Sequence, residues 1–308
     1  MLFSRKSLGV EVSHGGIAFA LLSGSRTEPR LERVAFRPLV AGTLRVSLRE
    51  TNILDPQSFR GRLSEAHALL LHRGTRLSLA LPDGVGRVLL LDVEGRFKNR
   101  SEGLDIIRWK LKKSMPFDIA DTHLDYQLLK VRENGEMSLL VALVSRTVIG
   151  QYEELFTSAG LTPARIDLTG FNLYRTFEQR AEQLGDGGMI SFHDNTLGIL
   201  LFSDGHPEFL RFKDLPGARP SDNRVFMEIN NSLLTYRERF PERVIQKVAC
   251  IAPPDEIRDF RAMVAEATGI EPLLFEVKEV VKPSDGAPAD QETLFTYTAA
   301  IGAALRSL

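Results

Sequence analysis

Two short turns, about 180 residues apart, hold the polar groups of this sequence best suited to chemistry. Ser13-His14-Gly15-Gly16 carries an imidazole and two glycines, and His193-Asp194-Asn195 carries an imidazole beside a carboxylate. Histidine titrates near neutral pH, so turns of this kind could form a pH-sensitive contact. No nucleophile stands at readable spacing from either histidine, and a catalytic dyad is not expected. His67 and His72 are five residues apart rather than four and lack a Glu-x-x-His frame, so no metal site is read there. Cys250 is the single cysteine; it lies in Val248-Ala249-Cys250-Ile251 and is expected as a buried thiol. Gly-x-Ser-x-Gly, P-loop and Cys-x-x-Cys motifs are absent.

The basic run Arg108-Trp109-Lys110-Leu111-Lys112-Lys113 allows two readings. It is either a solvated helix face beside a buried Trp109 or part of a docking surface for an acidic or lipid-proximal partner. Met115, Pro116 and Phe117 follow it, and they either line a pocket or pack on the domain core.

The elements that position these residues are legible from composition and spacing. The chain has 308 residues, with 39 Lys+Arg against 40 Asp+Glu and a formal net charge of -1. That balance excludes a nucleic-acid binder working by bulk electrostatics. No apolar run reaches membrane-helix length, and none of signal-peptide length follows Met1–Lys6, so a cytoplasmic, soluble protein is expected. The length allows two lobes around one cleft.

Leu8–Val12 and Ile17–Leu22 flank the first turn as a hairpin whose two glycines are free to take positive φ, and Leu31–Phe36 reads as a third strand. Met189–Phe192, Leu197–Phe202 and Phe209–Phe212 repeat this strand–turn–strand–turn–strand unit. Helical stripes run through Phe59-Leu63-Ala66-Leu70, Val148-Tyr152-Leu155-Ala159, Phe226-Ile229-Leu233-Tyr236-Phe240 and Ile257-Phe260-Val264-Ala267. Residues 87–164 read as a self-contained α+β unit inserted in the first lobe. The expected divisions are a first-lobe core over 1–86, the inserted unit over 87–164, a return to the first lobe over 165–187, and a second lobe over 188–308. Flexible loops are expected at Leu215–Asn223 and Pro283–Gln291.

A duplicated three-strand unit with turns aimed into an interlobe cleft resembles the actin/sugar-kinase/Hsp70 superfamily. Within it the sequence resembles the PilM proteins of type IV pilus assembly. Leu8-Gly9-Val10-Glu11 stands at a Leu/Ile-Gly-Ile-Asp start. Trp109 through Met115-Pro116-Phe117, then Leu124-Asp125-Tyr126-Gln127, resembles the family's helix, Pro-Phe and Asp-Tyr-Gln strand, which is the most specific part. Ala159-Gly160-Leu161, Asp167 and the closing helix Ala300-Ile301-Gly302-Ala303-Ala304 extend the likeness over nearly the whole chain. The resemblance implies an α/β, actin-like, two-lobed fold of the duplicated ribonuclease H-like kind. The inserted unit would be of the 1C type that PilM shares with the cell-division protein FtsA.

The same resemblance places a nucleotide site in the cleft, at Gly9, Glu11, Ser13, Gly15, Gly16, Ser191, His193, Asp194 and Gly302, and that site departs from the pattern in three separate parts. In the first loop, Glu11 replaces Asp, Ser13 replaces Gly, and Ala18 replaces the usual Lys. In the second, Ser191-Phe192-His193 replaces Asp-x-Gly, with Asp194 one residue beyond. At the adenine-side turn, Pro253-Pro254 replaces Gly-Gly. No cofactor is therefore expected, ATP with Mg being what an intact site would take, and the expected protein is not an enzyme. It is a cytoplasmic scaffold of the pilus inner-membrane platform that binds the N-terminal cytoplasmic tail of a PilN-like membrane protein through a groove near Trp109, Met115, Pro116 and Phe117. It would meet other platform or motor components, with no nucleic acid and no direct membrane insertion. The alternatives are a nucleotide-gated ATP-binding member of the fold and an FtsA-like tether. The chain's end directly after the closing helix counts against the tether, and against the type II secretion protein GspL, which continues into a membrane helix.

Overall fold

The computed structural model describes residues 6–115 and 117–308. The chain opens with strands β1 (Ser7–Val12), β2 (Gly16–Gly24) and β3 (Pro29–Pro38), helix α1 (Pro56–Leu69) and strand β4 (Arg76–Leu81). Next come β5 (Gly86–Val93), α2 (Arg100–Leu111), β6 (Thr122–Val131), β7 (Met137–Ser145), α3 (Arg146–Ser158), β8 (Thr162–Leu168), α4 (Thr169–Thr176) and the one-turn α5 (Glu178–Ala181). The second half runs β9 (Gly187–His193), β10 (Thr196–Ser203), β11 (His206–Asp214), α6 (Asn223–Arg239), β12 (Lys247–Ile251), α7 (Ile257–Thr268) and β13 (Leu273–Leu274). It closes with β14 (Lys282–Pro283), α8 (Gln291–Phe295) and α9 (Thr298–Leu305).

One topology is built twice. The first sheet has the order β14-β3-β2-β1-β4-β8 and the second β11-β10-β9-β12-β13. In each, three consecutive strands pair antiparallel, and two parallel strands then extend the sheet from the first of the three. Parallel neighbours need helical crossovers, which α1, α3, α6 and α7 supply. The repeated unit read in the sequence is this duplication.

Strand alternation divides the side chains between cores. Ile17, Phe19 and Leu21 of β2 join the first-lobe core with α1 and α3, while Ala18, Ala20 and Leu22 face the other way. That second face is continuous with Met189 and Leu200 of the second sheet and with Ala300, Ile301 and Ala304 of α9, so one core is shared by both lobes. Ile190, Leu197 and Ile199 turn outward to a third core under α6 and α7.

Helix α1 forms where its spacing predicts. Asp55 accepts from the Ser58 amide as its N-cap, Pro56 opens the helix, and Phe59, Leu63 and Ala66 are buried. In α3 it is Phe156 rather than Leu155 that completes the buried stripe. The unit with its own core comprises β5, α2, β6 and β7. The sequence reading carries it to residue 164, but Val148, Tyr152 and Phe156 of α3 enter the first-lobe core. The Gln151 side chain also accepts from the Asn52 and Ile53 amides of that lobe.

The end of the chain likewise belongs to both lobes. β14 pairs with β3, and α9 packs on β1 and α4. At Gly9 a Cβ would overlap the Ala300 carbonyl oxygen, and at Gly302 it would overlap that of Asn172. The Ser7 hydroxyl donates to the Ala304 carbonyl (2.6 Å) and Thr176 to that of Thr298 (2.8 Å).

The two loops expected to be flexible are each anchored at their start. Leu215 N–H donates to Asn195 (2.8 Å), and Ser284 N–H donates to Leu31 (2.8 Å). Cys250 is buried, and burial pushes its thiol up to about 12. Among the described residues no helix is long and apolar enough to cross a membrane.

These approaches give opposite signs to two glycine substitutions. Gly302→Ala drives α4 and α9 apart and should lower the unfolding free energy by about 3 kcal/mol in urea titrations. Gly61→Ala, in α1 with open space around it, should raise it by about 0.8 kcal/mol.

Candidate functional site

The two hairpin tips solve the same turn differently. In the first, Ser13 and Gly16 exchange backbone hydrogen bonds (2.9 and 3.3 Å), and the Gly16 N–H also donates to the Ser13 hydroxyl (3.2 Å). Neither Gly15 nor Gly16 takes positive φ, contrary to the expectation for that turn, and Ser13 does not either. Glycine at 16 is required by packing instead, since a Cβ would come within 2.6 Å of the Phe36 ring on β3. In the second hairpin Asp194 (φ 45°) and Asn195 (φ 63°) both take left-handed φ, as a type I′ turn demands, and Asp and Asn tolerate it better than most residues.

His14 and Asp194 are equivalent positions of the two hairpins, and they meet across the pseudo-twofold. The His14 N–H donates to the Asp194 carboxylate at 3.0 and 2.9 Å, and His14 Nδ1 lies 3.0 Å from Asp194 Oδ2. Behind this contact, His193 Nε2 lies 2.7 Å from Glu11 Oε1. Glu11 is 2% and His193 7% exposed, so this ion pair is buried at the lobe junction. Glu11 and Asp194 therefore do not face each other; each takes a histidine of the opposite hairpin.

The electrostatics follow from that arrangement. Burial alone would lower His193, but the charge and hydrogen bond of Glu11, helped by Asp194 and Asp83, raise it to about 9. His193 Nδ1 is buried without a hydrogen-bond partner among the described residues. The hydrogen bond that the His14 ring donates to the Asp194 carboxylate raises its pKa. Burial opposes ionisation of Asp194, yet the contacts from His14 hold its carboxyl below the usual range.

Two further carboxyls close the group, and the sequence reading passed over both. Burial raises Asp83 to about 7 although it accepts from the Gly170 N–H at the start of α4 (3.0 and 3.1 Å). Burial also raises Asp214, which adds to the negative field around His14. Pro82-Asp83-Gly84 reads as an ordinary turn, and nothing local marks Asp83 as buried.

The residues named for a nucleotide do not form a phosphate cradle. The His14 amide, which in a phosphate loop would face the ligand, is taken by Asp194. Ala18 pairs with Glu11 across β1 and β2 and is buried, so it offers no cation. Ser191 sits in the position equivalent to Glu11, with its Oγ against Gly198. Gly9 and Gly302 are covered by backbone, and their role is packing. The Pro253-Pro254 turn is pinned where Glu256 meets Arg219 (2.8 Å) and Ser221 (3.0 Å). The Glu11 and Asp194 carboxylates are each already paired with a histidine of the opposite hairpin. The residues present therefore do not fit Mg-ATP.

The partner-binding candidates are separate from this contact. Trp109 on α2 is 79% exposed, which corrects the reading of a buried tryptophan beside a solvated face. Met115 packs against the inserted unit's core. Phe117 lies under the Arg49 guanidinium (5.8 Å), which joins the inserted unit to the first lobe. Pro116 lies outside the described residues.

No protein-family model and no curated protein matches the chain. Solved structures do. A chain of the PilM–PilN type IV pilus biogenesis complex superposes with a TM-score of 0.82 at 18% identity, over 97% of this chain and 98% of that one. The cytoplasmic domain of EpsL, an inner-membrane component of the Vibrio cholerae type II secretion system, gives 0.52 at 12% identity over 96% and 95%. A Bacteroides thetaiotaomicron protein with an actin-like ATPase fold gives 0.53 at 8% identity over 97% and 96%. The fold is thus actin-like, as the sequence resemblance implies, and it is PilM-like over nearly the whole chain.

Stability should depend on pH in two windows. His193 holds its proton more tightly folded than unfolded, so its contribution is full below about 6.5 and lost as pH rises through about 9. Raised Asp83 acts with the same sign, its contribution full below 3.8 and lost as pH rises through about 7. In urea titrations the stability difference between wild type and His193→Gln should shrink between pH 6.5 and 9, on the order of 3 kcal/mol in all. Asp83→Asn should remove the decline between pH 4 and 7 and, because the Asp83 charge helps to raise His193, move the upper window to lower pH.

Proposed function

We propose that this protein is a non-hydrolysing, actin-fold scaffold of a type IV pilus inner-membrane platform, binding the cytoplasmic tail of a PilN-like membrane protein without nucleotide. The observation that carries the reading is the Asp194 carboxylate on the His14 amide. Polyphosphate would have to displace a carboxylate that is already part of the protein. The lobes are held together by this contact, by the buried Glu11–His193 pair and by a shared core, so the molecule has no need of a ligand to close. The PilM–PilN complex, whose name pairs such a fold with a second protein, supports a PilN-like partner. Membrane attachment is then peripheral, through that partner, and the scaffold would couple the platform to its motor components.

The partner surface lies at the junction of the inserted unit and the first lobe. An extended tail there would take main-chain hydrogen bonds and apolar anchors. β6 is an edge strand of the inserted sheet, and Trp109 is an exposed aromatic of the kind that carries binding energy. Phe117, half-buried beneath Arg49, supplies a second apolar anchor at the junction.

Fluorescence anisotropy of a labelled N-terminal tail from the pilus membrane protein tests the reading. Saturable binding is expected without nucleotide and unchanged by Mg-ATP, and Trp109→Ala and Phe117→Ala should each weaken it about tenfold. Binding that appears only with Mg-ATP would establish a nucleotide-gated member of the fold instead. Calorimetric titration with Mg-ATP alone should give no saturable heat.

A further inference from the structure

A cavity of about 370 Å³ lies between the inserted unit and the second lobe, away from the hairpin contact. One wall is the face of the inserted sheet opposite α2. Asp92, Ser138 and Lys130 form one cross-strand row there, while Leu89 and Leu91 turn to the α2 side. The other wall is the β10–β11 turn and the end of α6, which bring Ser203, Glu208, Arg239 and Arg243.

Two buried polar atoms in this wall make no hydrogen bond of ordinary geometry among the described residues. Ser203 is 3% exposed, and its hydroxyl makes no hydrogen bond. Glu208 Oε1 accepts from Arg243 (3.1 Å), while the buried Oε2 has no hydrogen bond of ordinary geometry, although the Tyr236 hydroxyl faces the same carboxylate. Native structures leave few such groups unsatisfied, so each calls for an explanation.

The lining is also cationic. Lys130, Arg132, Arg239 and Arg243 stand against Asp92 and Glu208. Arg132 is anchored by Asp92 and Glu136, and Arg243 by Glu208 and Asp204, which Lys130 shares at 3.6 Å. Arg239 has no carboxylate partner among the described residues, its guanidinium lying over the Phe240 ring (5.1 Å).

We propose that this cavity binds a small anion, a carboxylate or phosphate, that also carries a hydroxyl or N–H donor. The anionic end would meet Arg239 and Lys130, the donor would satisfy Glu208 Oε2, and the Ser203 hydroxyl would donate to the ligand. The volume suits a compact molecule, at the lower end of small-ligand pockets. Because its walls come from two parts of the chain, the bound ligand bridges the inserted unit to the second lobe. The proposal does not depend on the scaffold reading.

Calorimetric titration of the whole protein with citrate, and separately with inorganic pyrophosphate, each up to about 10 mM, tests it. Saturable one-to-one binding of at least one is expected, and the tighter of the two identifies carboxylate or phosphate as the anionic group. Arg239→Gln and Lys130→Gln should each weaken it roughly tenfold, the loss of one charge-assisted hydrogen bond. Arg239 is exposed, so its variant should keep the wild-type urea midpoint. Absence of saturable binding by both anions overturns the proposal, and so does binding that the two variants leave unchanged.

Discussion

The contact on which this molecule turns is a carboxylate resting on a backbone amide, Asp194 on His14. In a nucleotide-binding hairpin that amide would be held for a phosphate, and the lobes would close when one arrived. Here the anion is built into the opposite lobe at the equivalent turn, so the closed arrangement is internal. The Glu11–His193 pair behind it makes closure harder to reverse. Parting two buried, hydrogen-bonded charges leaves each desolvated and alone, at a cost of about 3–5 kcal/mol. The shared core adds a constraint that no hinge at the tips could relieve, because α9 touches β1 and α4 where only glycine fits.

Rigidity at the centre shifts the interest to the inserted unit. Its α2 side presents Trp109 to solvent and reaches the first lobe through Phe117 and Arg49. Its opposite face looks across a charged cavity to the second lobe. A partner on one side and a ligand on the other would both act on a three-stranded sheet that meets the first lobe at Phe117 and Arg49 and the second at Lys130 and Asp204.

Much of this was legible in the sequence. Ile17–Leu22 and Leu197–Phe202 announce buried strands, and the return of the pattern after about 180 residues gives the duplication. What stayed hidden depends on which surfaces the two copies turn toward each other. Strand alternation places Glu11 and His193 on inner faces, but that these faces meet is a property of the assembled cores. Gly9 and Gly302 read equally well as ligand glycines and as packing glycines, because both uses need a missing Cβ. Trp109 lies among basic residues on a helix, and spacing alone does not say that its ring is left outside. Asp83 sits in a turn that looks solvated, and only the arrival of α4 buries it.

The departures from the nucleotide-site pattern also look different once assembled. Read along the chain, they are separate losses, a longer acid at 11, no lysine at 18, a histidine and an aspartate where a glycine turn is expected at 193–194. In the fold they are one replacement. With alanine at 18, Glu11 has no cation in its own sheet, and His193 supplies it from the other. An aspartate at 11 would end about 1.5 Å short of the imidazole, so the extra methylene is what lets the pair form. His193 in turn fixes the start of the turn that swings Asp194 onto the His14 amide. A glycine at 193 would strand Glu11, and a lysine at 18, directly opposite Glu11 on the same face of the sheet, would compete with His193 for its carboxylate. Glu11, His193, Asp194 and His14 thus form one set of contacts in which each residue depends on a partner from the opposite hairpin.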